Sequence, residues 1–123
     1  MPSAVVGFAF TVYPVRDLAR AVAFYRDRIG LRPAETFGDE IVEFTVGNAT
    51  FAIDTNAVAE PGTQCSAAFE IAGLDDLHAS LVAHGVAVAE IMDFPPCRMA
   101  IVTDPDGNRF TIHERKAKAS VAG

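Results

Sequence analysis

Apolar positions change their spacing along the first quarter of the chain, from a continuous run to a helical repeat. Residues 4–13 are rich in Val, Phe and Tyr and end at Pro14, a pattern typical of a buried strand. Asp17 then offers a side chain suited to capping a helix. Behind it, apolar residues recur at helical spacing until Gly30, and these are Leu18, Ala21, Val22, Tyr25 and Ile29. This pattern predicts a strand followed by a helix that ends at Gly30.

Three extended segments follow, near residues 33–37, 40–46 and 49–54. Apolar and polar residues alternate in the second of them, and Gly47-Asn48 is a strong signal for a hairpin turn. Residues 56–64, which contain Pro and Gly, form the only plausible linker in the chain.

The same order of elements then repeats. A strand is predicted at 65–72, a helix with Leu74, Leu77, Leu81 and Val82 on one face, and extended segments at 86–92, 97–103 and 108–114. We therefore predict an α+β fold of two tandem β-α-β-β-β modules, at about residues 4–56 and 65–115, followed by a tail at 116–123. Because neither module could bury both faces of its sheet alone, the two should pack as one domain.

Composition and charge exclude several classes of function. The 123-residue chain has a net charge of −6, whereas nucleic-acid binding needs a clustered basic surface. No apolar stretch approaches the roughly 20 residues needed to span a bilayer, and the run at 4–13 lacks the basic residues that open a signal peptide. Cys65 and Cys97 lack CxxC spacing, which favours a reducing compartment. We expect a soluble, cytoplasmic protein without nucleic-acid or membrane partners.

The sequence TDPDGN at residues 103–108 predicts a tight turn between the last two strands, because Pro fixes φ and Gly permits positive φ. Together with VRDL at 15–18, FY at 24–25 and GL at 30–31, this turn closely resembles the vicinal oxygen chelate superfamily. That superfamily includes glyoxalase I, extradiol dioxygenases, fosfomycin resistance enzymes and bleomycin resistance proteins. The resemblance covers roughly residues 5 to 115. It implies curled mixed sheets that form a cup around a divalent metal, and a homodimer.

The resemblance also implies where metal ligands would lie, namely a His or Gln on the first strand of a module and a Glu on its last. In module one these positions fall on Phe10 and Asp54, and in module two on Ser66 and Thr111. Only Asp54 is a good ligand, since a phenyl ring cannot coordinate and neutral hydroxyls are poor partners for Zn, Ni or Fe(II). We therefore expect no cofactor and no metal at the usual position, although a divalent ion at a displaced site stays open.

Other polar side chains share the cup face if strand residues alternate. His113 is the candidate catalytic residue, because imidazole titrates near physiological pH. Arg98 begins the strand beside the last one and could reach the same opening. The predicted ligand-binding residues are Phe10, Glu43, Asp54, Ser66, Glu70, Arg98, Thr111 and His113.

Two functions from different classes follow. The first is a binding protein, similar to the bleomycin resistance proteins, that holds a small organic molecule without the usual metal. The alternative is an enzyme, a metal-dependent lyase, isomerase or dioxygenase with His113 and Asp54 in a rearranged site. Metal-free acid–base chemistry by His113 is a third possibility. Since Phe, Ser and Thr occupy the ligand positions, the sequence favours the binding protein, and whether the chain is an enzyme stays open.

Overall fold

The structure, a computed structural model, describes residues 4–116. It is a mixed α+β fold with two sheets, one from each half of the chain. The first sheet is built from β1 (Thr11–Pro14), β2 (Arg32–Phe37), β3 (Ile41–Val46) and β4 (Ala49–Asp54), in the order β1-β4-β3-β2. In it β1 runs parallel to β4, and the other pairs are antiparallel.

The second sheet has the corresponding arrangement. It contains β5 (Ala68–Glu70), β6 (Ala87–Val88), β7 (Met92–Asp93), β8 (Cys97–Thr103) and β9 (Arg109–Arg115), in the order β5-β9-β8-β6, with β7 also paired to β8. Here β5 runs parallel to β9, as β1 does to β4. The repeated parallel pair confirms the prediction of two copies of one supersecondary unit.

The first helix begins and ends where the sequence predicts. Helix α1 (Leu18–Ala23) continues into a π-helical segment (Phe24–Ile29). The Asp17 carboxylate accepts a hydrogen bond from the backbone N–H of Arg20 at 3.0 Å, which satisfies one of the free donors at the helix start. Gly30 follows with φ of 91°, a left-handed conformation that glycine adopts without strain.

The second helix, α2 (Leu74–Ala83), is capped from outside its own segment. Gly73, the residue before it, has no side chain to accept a hydrogen bond. The carboxylate of Glu114 on β9 takes this role, accepting the backbone N–H groups of Gly73 and Leu74 at 3.1 Å each. The cap therefore fixes α2 to the second sheet.

One aromatic core spans both modules. Tyr25 of the π-helical segment contacts Phe51 of β4 at 5.2 Å and Phe110 of β9 at 5.7 Å between ring centroids. Phe51 also meets Phe69 of β5 edge-to-face at 5.2 Å. Such ring pairs contribute about 0.5–1.5 kcal/mol beyond their area burial. Each sheet therefore turns one face toward the same core.

The TDPDGN turn joins the modules through buried polar side chains. Asn108 is fully buried. Its amide nitrogen donates to the backbone oxygen of Pro14 at 2.7 Å, and its amide oxygen accepts from the N–H groups of Gly62 at 2.9 Å and Gln64 at 3.3 Å. Asp104 accepts the Tyr25 hydroxyl at 2.6 Å. Desolvation of Tyr25, reinforced by the charge of Asp104, raises the pKa of this hydroxyl, so it remains a donor.

Some local predictions were wrong. Residues 4–10, predicted as part of a buried strand, are exposed, and the strand begins only at Thr11. The segment predicted at 86–92 is interrupted and forms the short strands β6 and β7. Val82, predicted on the apolar face of α2, is 57% exposed. Of the predicted tail, residues 117–123 lie outside the described residues.

Within residues 4–116, no helix is long and apolar enough to cross a membrane.

Candidate functional site

Each sheet has one face against the core and one face away from it, which we call the open face. On β4, Phe51 and Ile53 are buried in the core, so Thr50 and Asp54 lie on the open face. On β9, Phe110 and Ile112 are in the core, so Thr111 and His113 lie on the open face. The candidate site residues therefore divide between two open faces, one per module.

The open face of module one carries a cleft of about 330 Å³. One wall is formed by strand residues and the other by the segment between the modules. The lining residues are Phe10, Val12, Pro14, Ile41, Asp54, Asn56, Ala57, Val58, Ala59 and Gln64. Most are apolar, and Asp54 is the only charged side chain among them. This combination is typical of sites for small organic molecules.

Asp54 lies at the end of β4, level with Pro14 on β1 and Ile41 on β3. One of its carboxylate oxygens accepts the backbone N–H of Asn56 at 2.8 Å, which turns the chain out of the strand. No Lys, Arg or His between residues 4 and 116 forms an ion pair with it. Its other oxygen is therefore open to a ligand.

The second wall of the cleft is held in place by hydrogen bonds at both ends. At its start, the N–H of Thr55 donates to the backbone oxygen of Glu40 at 2.8 Å. At its end, the Asn108 amide holds Gly62 and Gln64. Gly62 has φ of 90°, and a Cβ there would lie 2.9 Å from the backbone oxygen of Asp106. The turn that joins the modules thus also positions the wall.

Ser66 lies elsewhere, in a smaller cavity of about 220 Å³. Its neighbours there are small or apolar residues of both modules, namely Thr11, Val46, Ala49, Thr50, Phe51, Ala67, Ala68 and Phe69. The cleft that contains Phe10 and Asp54 is not lined by Ser66. The structure therefore does not bring these three predicted positions together.

The open face of module two carries a histidine–carboxylate pair. His113 and Glu70 are register partners on β9 and β5, and Nδ1 of His113 lies 2.6 Å from a carboxylate oxygen of Glu70. The second oxygen of Glu70 accepts the N–H of Arg115 at 2.7 Å. This backbone hydrogen bond, followed by that of His113, lowers the pKa of Glu70. With Nδ1 engaged, Nε2 is the ring nitrogen left for a ligand.

Arg98, which we expected could reach the same opening, lies on the other face of the second sheet. On β8, Ala100 and Val102 are in the core, and Arg98 lies on their side of the strand. Its guanidinium binds both carboxylate oxygens of Asp75 on α2, at 2.8 and 3.0 Å, and lies 3.6 Å from Glu114. Arg98 therefore links the second sheet to its helix.

The two remaining positions lie on the open faces outside the cleft. Glu43 sits on β3 between Glu35 and Ala52 of the neighbouring strands. Thr111 sits on β9 beside Ala68 and Ile101. Neither lines the cleft.

A family profile identifies the fold. The profile of the Glyoxalase/Bleomycin resistance protein/Dioxygenase superfamily matches residues 7–112. The chain belongs to this superfamily. A search of curated protein sequences returned no significant match.

Solved structures of glyoxalase-superfamily proteins have the same fold. An antibiotic-binding protein from a Streptomyces species superposes with a TM-score of 0.80 at 24% identity, over 94% of this chain and 100% of that one. A lactoylglutathione lyase from Agrobacterium tumefaciens gives 0.73 at 22% identity, over 89% and 94%. A glyoxalase/bleomycin resistance protein from a Streptomyces species gives 0.73 at 24%, over 89% and 100%. Likeness at this level of identity establishes the fold alone.

The superfamily's metal chemistry needs several ligands at one point. Among residues 4–116, no three His, Cys, Asp or Glu side chains form a group that could hold a metal ion. Asp54 and the Glu70–His113 pair lie on different sheets.

Sequence reasoning missed most of the cleft. Val12 and Pro14 follow from alternation with Phe10 and could have been included. Asn56, Gln64 and the residues between them had no such signal, because the end of this segment is held by hydrogen bonds from Gly62 and Gln64 to Asn108, more than 40 residues away.

Proposed function

We propose that the chain binds a small organic molecule in the module-one cleft, without the divalent metal of the glyoxalase superfamily. The observation that carries this proposal is the cleft itself, about 330 Å³ in volume and lined by apolar side chains around a single carboxylate. Burial of apolar ligand surface contributes roughly 25 cal/mol per Å². A few polar groups among apolar walls then fix the ligand's orientation.

The residues at the superfamily's metal-ligand positions do not fit a divalent ion. The resemblance places these positions at Phe10, Asp54, Ser66 and Thr111. They offer one carboxylate, two neutral hydroxyls and a phenyl ring, whereas Zn, Ni or Fe(II) needs three or four strong donors. Phe10 instead presents an aromatic side chain to the cleft. This substitution supports a binding function over metal catalysis.

The antibiotic-binding protein from Streptomyces supports the same class of activity. It shares this fold over its whole length, so the fold is compatible with holding an organic compound. Because this analogy is one of fold, it supports the binding of organic compounds as a class.

We further infer that the chain acts as a homodimer. Val6, Phe8 and Phe37 are 98%, 85% and 53% exposed, and every residue of β2 is exposed. Exposed apolar side chains of this size are typical of a surface that another protein covers. A symmetric dimer is the commonest such assembly. Sedimentation analysis should give twice the 13.1 kDa chain mass, and a monomer at micromolar concentration would contradict the inference.

The Glu70–His113 pair favours a second candidate function, acid–base catalysis without a metal. A carboxylate 2.6 Å from Nδ1 orients the imidazole, so that Nε2 can take or give a proton. With this second function, the chain would be a lyase or isomerase whose active site lies on module two. A rate that falls at least 100-fold in His113→Ala, with any superfamily substrate, would favour it over the binding function.

Binding is tested by calorimetric titration of small aromatic compounds against two matched variants. Ala57→Phe fills the cleft, whereas Ala72→Phe adds the same side chain at an exposed position away from it. We expect Ala57→Phe to abolish binding and Ala72→Phe to retain it. Equal binding by both variants would contradict the proposed site.

Metal analysis of the purified protein tests the metal-dependent alternative. After incubation with Ni, Zn, Mn or Fe(II) and dialysis, we expect less than a stoichiometric amount of ion. One equivalent of ion that is lost in both Asp54→Ala and His113→Ala would favour the metal-dependent lyase or dioxygenase.

A further inference from the structure

We propose that the module-one cleft selects organic cations, and that Asp54 pairs with the ligand's ammonium group. This inference rests on the proposed function and adds the chemical class of the ligand. It is drawn from the charge of Asp54 in the cleft and from the finding that, among residues 4–116, no Lys, Arg or His lines the cleft or pairs with this carboxylate.

The charge of Asp54 is not balanced within the part of the chain that the structure describes. Ion pairs there involve six other acidic side chains, namely Asp27, Glu70, Asp75, Asp93, Asp106 and Glu114. Asp54 forms none, and none of the residues that line its cleft is Lys, Arg or His. A ligand cation would supply the missing partner.

The surroundings of Asp54 are largely apolar. Val12, Pro14, Ile41 and Val58 line the same cleft, and apolar neighbours reduce the hydration of a charge. One carboxylate oxygen is occupied by the N–H of Asn56. The other accepts no hydrogen bond from residues 4–116, so an ammonium donor could bind there directly.

The same arrangement disfavours two other ligand classes. An organic acid would meet like charge without a basic side chain to offset it. A divalent ion would find one carboxylate and the side-chain amides of Asn56 and Gln64, which is a weak set for such ions. A compact amine with an apolar body of one or two rings fits both the charge and the volume of about 330 Å³.

The test compares three probes of one shape and different charge. These are 2-(1-naphthyl)ethylamine, 2-(1-naphthyl)ethanol and 1-naphthylacetate, titrated calorimetrically into the full-length protein. A charge-assisted hydrogen bond is stronger than a neutral one, so we expect the amine to bind at least about tenfold more tightly than the alcohol. The acetate should bind more weakly than the alcohol.

Two variants assign this preference to Asp54. Asp54→Asn removes the charge but keeps an oxygen that can accept the Asn56 N–H, so the fold should persist. We expect it to bind the alcohol as the wild type does and the amine no better. Glu35→Gln removes an exposed charge from the neighbouring strand β2 of the same sheet, outside the cleft, and it should retain the full preference. Rising NaCl should reduce the preference in the wild type.

The outcomes separate this inference from the proposed function. If the alcohol binds the wild type as tightly as the amine, or if Asp54→Asn keeps the preference, the cation selectivity is overturned while organic-ligand binding stands. If none of the three probes binds, both the proposed function and the selectivity are overturned.

Discussion

The two modules share a plan but differ on their open faces. Module one carries an apolar cleft, closed on one side by the linker between the modules, whose carboxylate, Asp54, forms no ion pair within residues 4–116. Module two carries Glu70 and His113, already paired with each other. Their cores, by contrast, meet in a single aromatic cluster. The alternation of a β-strand explains the difference, because core-facing residues must fit each other whereas open-face residues are free to diverge.

Residues that stabilise the core and candidate functional residues therefore alternate along the same strands. On β4, Phe51 and Ile53 hold the core while Asp54 faces the cleft. On β9, Phe110 and Ile112 hold the core while His113 faces outward. Substitutions at core or junction positions should lower stability, and substitutions on an open face should change binding or titration with little effect on the fold.

The largest effect on stability is expected at the junction, by which we mean the TDPDGN turn at residues 103–108 that joins the two modules. Asn108→Ala removes four hydrogen bonds of a fully buried side chain and leaves the oxygen of Pro14 and the N–H groups of Gly62 and Gln64 without this partner. We expect a loss of about 3 kcal/mol in the free energy of unfolding, because each buried unsatisfied group costs about 1–3 kcal/mol. Urea denaturation measures this, with the exposed turn variant Asn48→Ala as the control, expected within about 0.5 kcal/mol of wild type. A loss below about 1 kcal/mol for Asn108→Ala would show that the junction is not essential.

A smaller effect on stability is expected at Gly62, where the segment between the modules approaches the junction. Gly62→Ala and Gly38→Ala both place a side chain at positive φ, but only at Gly62 would the new Cβ meet a backbone atom, at 2.9 Å. Strain at positive φ costs about 1 kcal/mol, and the close contact at Gly62 should add to it.

The difference in melting temperature between the two glycine variants measures the effect of the close contact at Gly62. Gly62→Ala should also weaken ligand binding in the cleft, whereas Gly38→Ala should not. Equal melting temperatures for the two variants would argue against a close approach at Gly62.

Arg98 should affect the helix of module two and leave the cleft of module one unchanged. Arg98→Gln removes the pair with Asp75 on α2, so we expect a slightly lower melting temperature. The dissociation constant of an organic ligand should stay the same, because Arg98 lies on the core side of its sheet. A clear loss of affinity in Arg98→Gln would place the ligand on module two instead.

The smallest effect is a pH dependence on the open face of module two. The Arg115 N–H and His113 hold the pKa of Glu70 below its usual range. Since the folded pKa is lower than the unfolded one, this carboxylate stabilises the fold above the unfolded pKa, and the contribution is lost as pH falls through the folded pKa. Wild type should therefore exceed Glu70→Gln in melting temperature at pH 7 and lose that advantage progressively as the pH falls below the usual pKa of a glutamate. Carbon-detected NMR titration of the Glu70 carboxyl would check the direction of the shift.

The sequence predicted those parts of the fold that depend on neighbouring residues. Asp17 and Gly30 mark the ends of the first helical stretch through local capping and backbone freedom. The turn at Gly47 and the alternation around it located β3 and β4 to within a residue. The TDPDGN turn was correctly placed between β8 and β9, although its contacts with the linker and with Tyr25 were not predictable from spacing.

The failures share a dependence on distant partners. An apolar run such as residues 4–10 is buried only if another surface covers it, and the sequence does not specify that surface. On β8, residues 99–102 are all apolar, so alternation along this strand does not show which face of the sheet Arg98 lies on. The cleft wall at Ala57, Val58 and Ala59 belongs to a segment whose far end is held by the side chain of Asn108, and this could not be predicted from composition.

Amide chemical shifts, recorded by two-dimensional NMR during titration with 2-(1-naphthyl)ethylamine, test most directly whether ligands bind to module one alone. We predict that the perturbed amides will be those of β1, the end of β4 and residues 55–64, which surround the cleft. Perturbations centred on β5 and β9, around Glu70 and His113, would contradict this assignment and place the site on the other module.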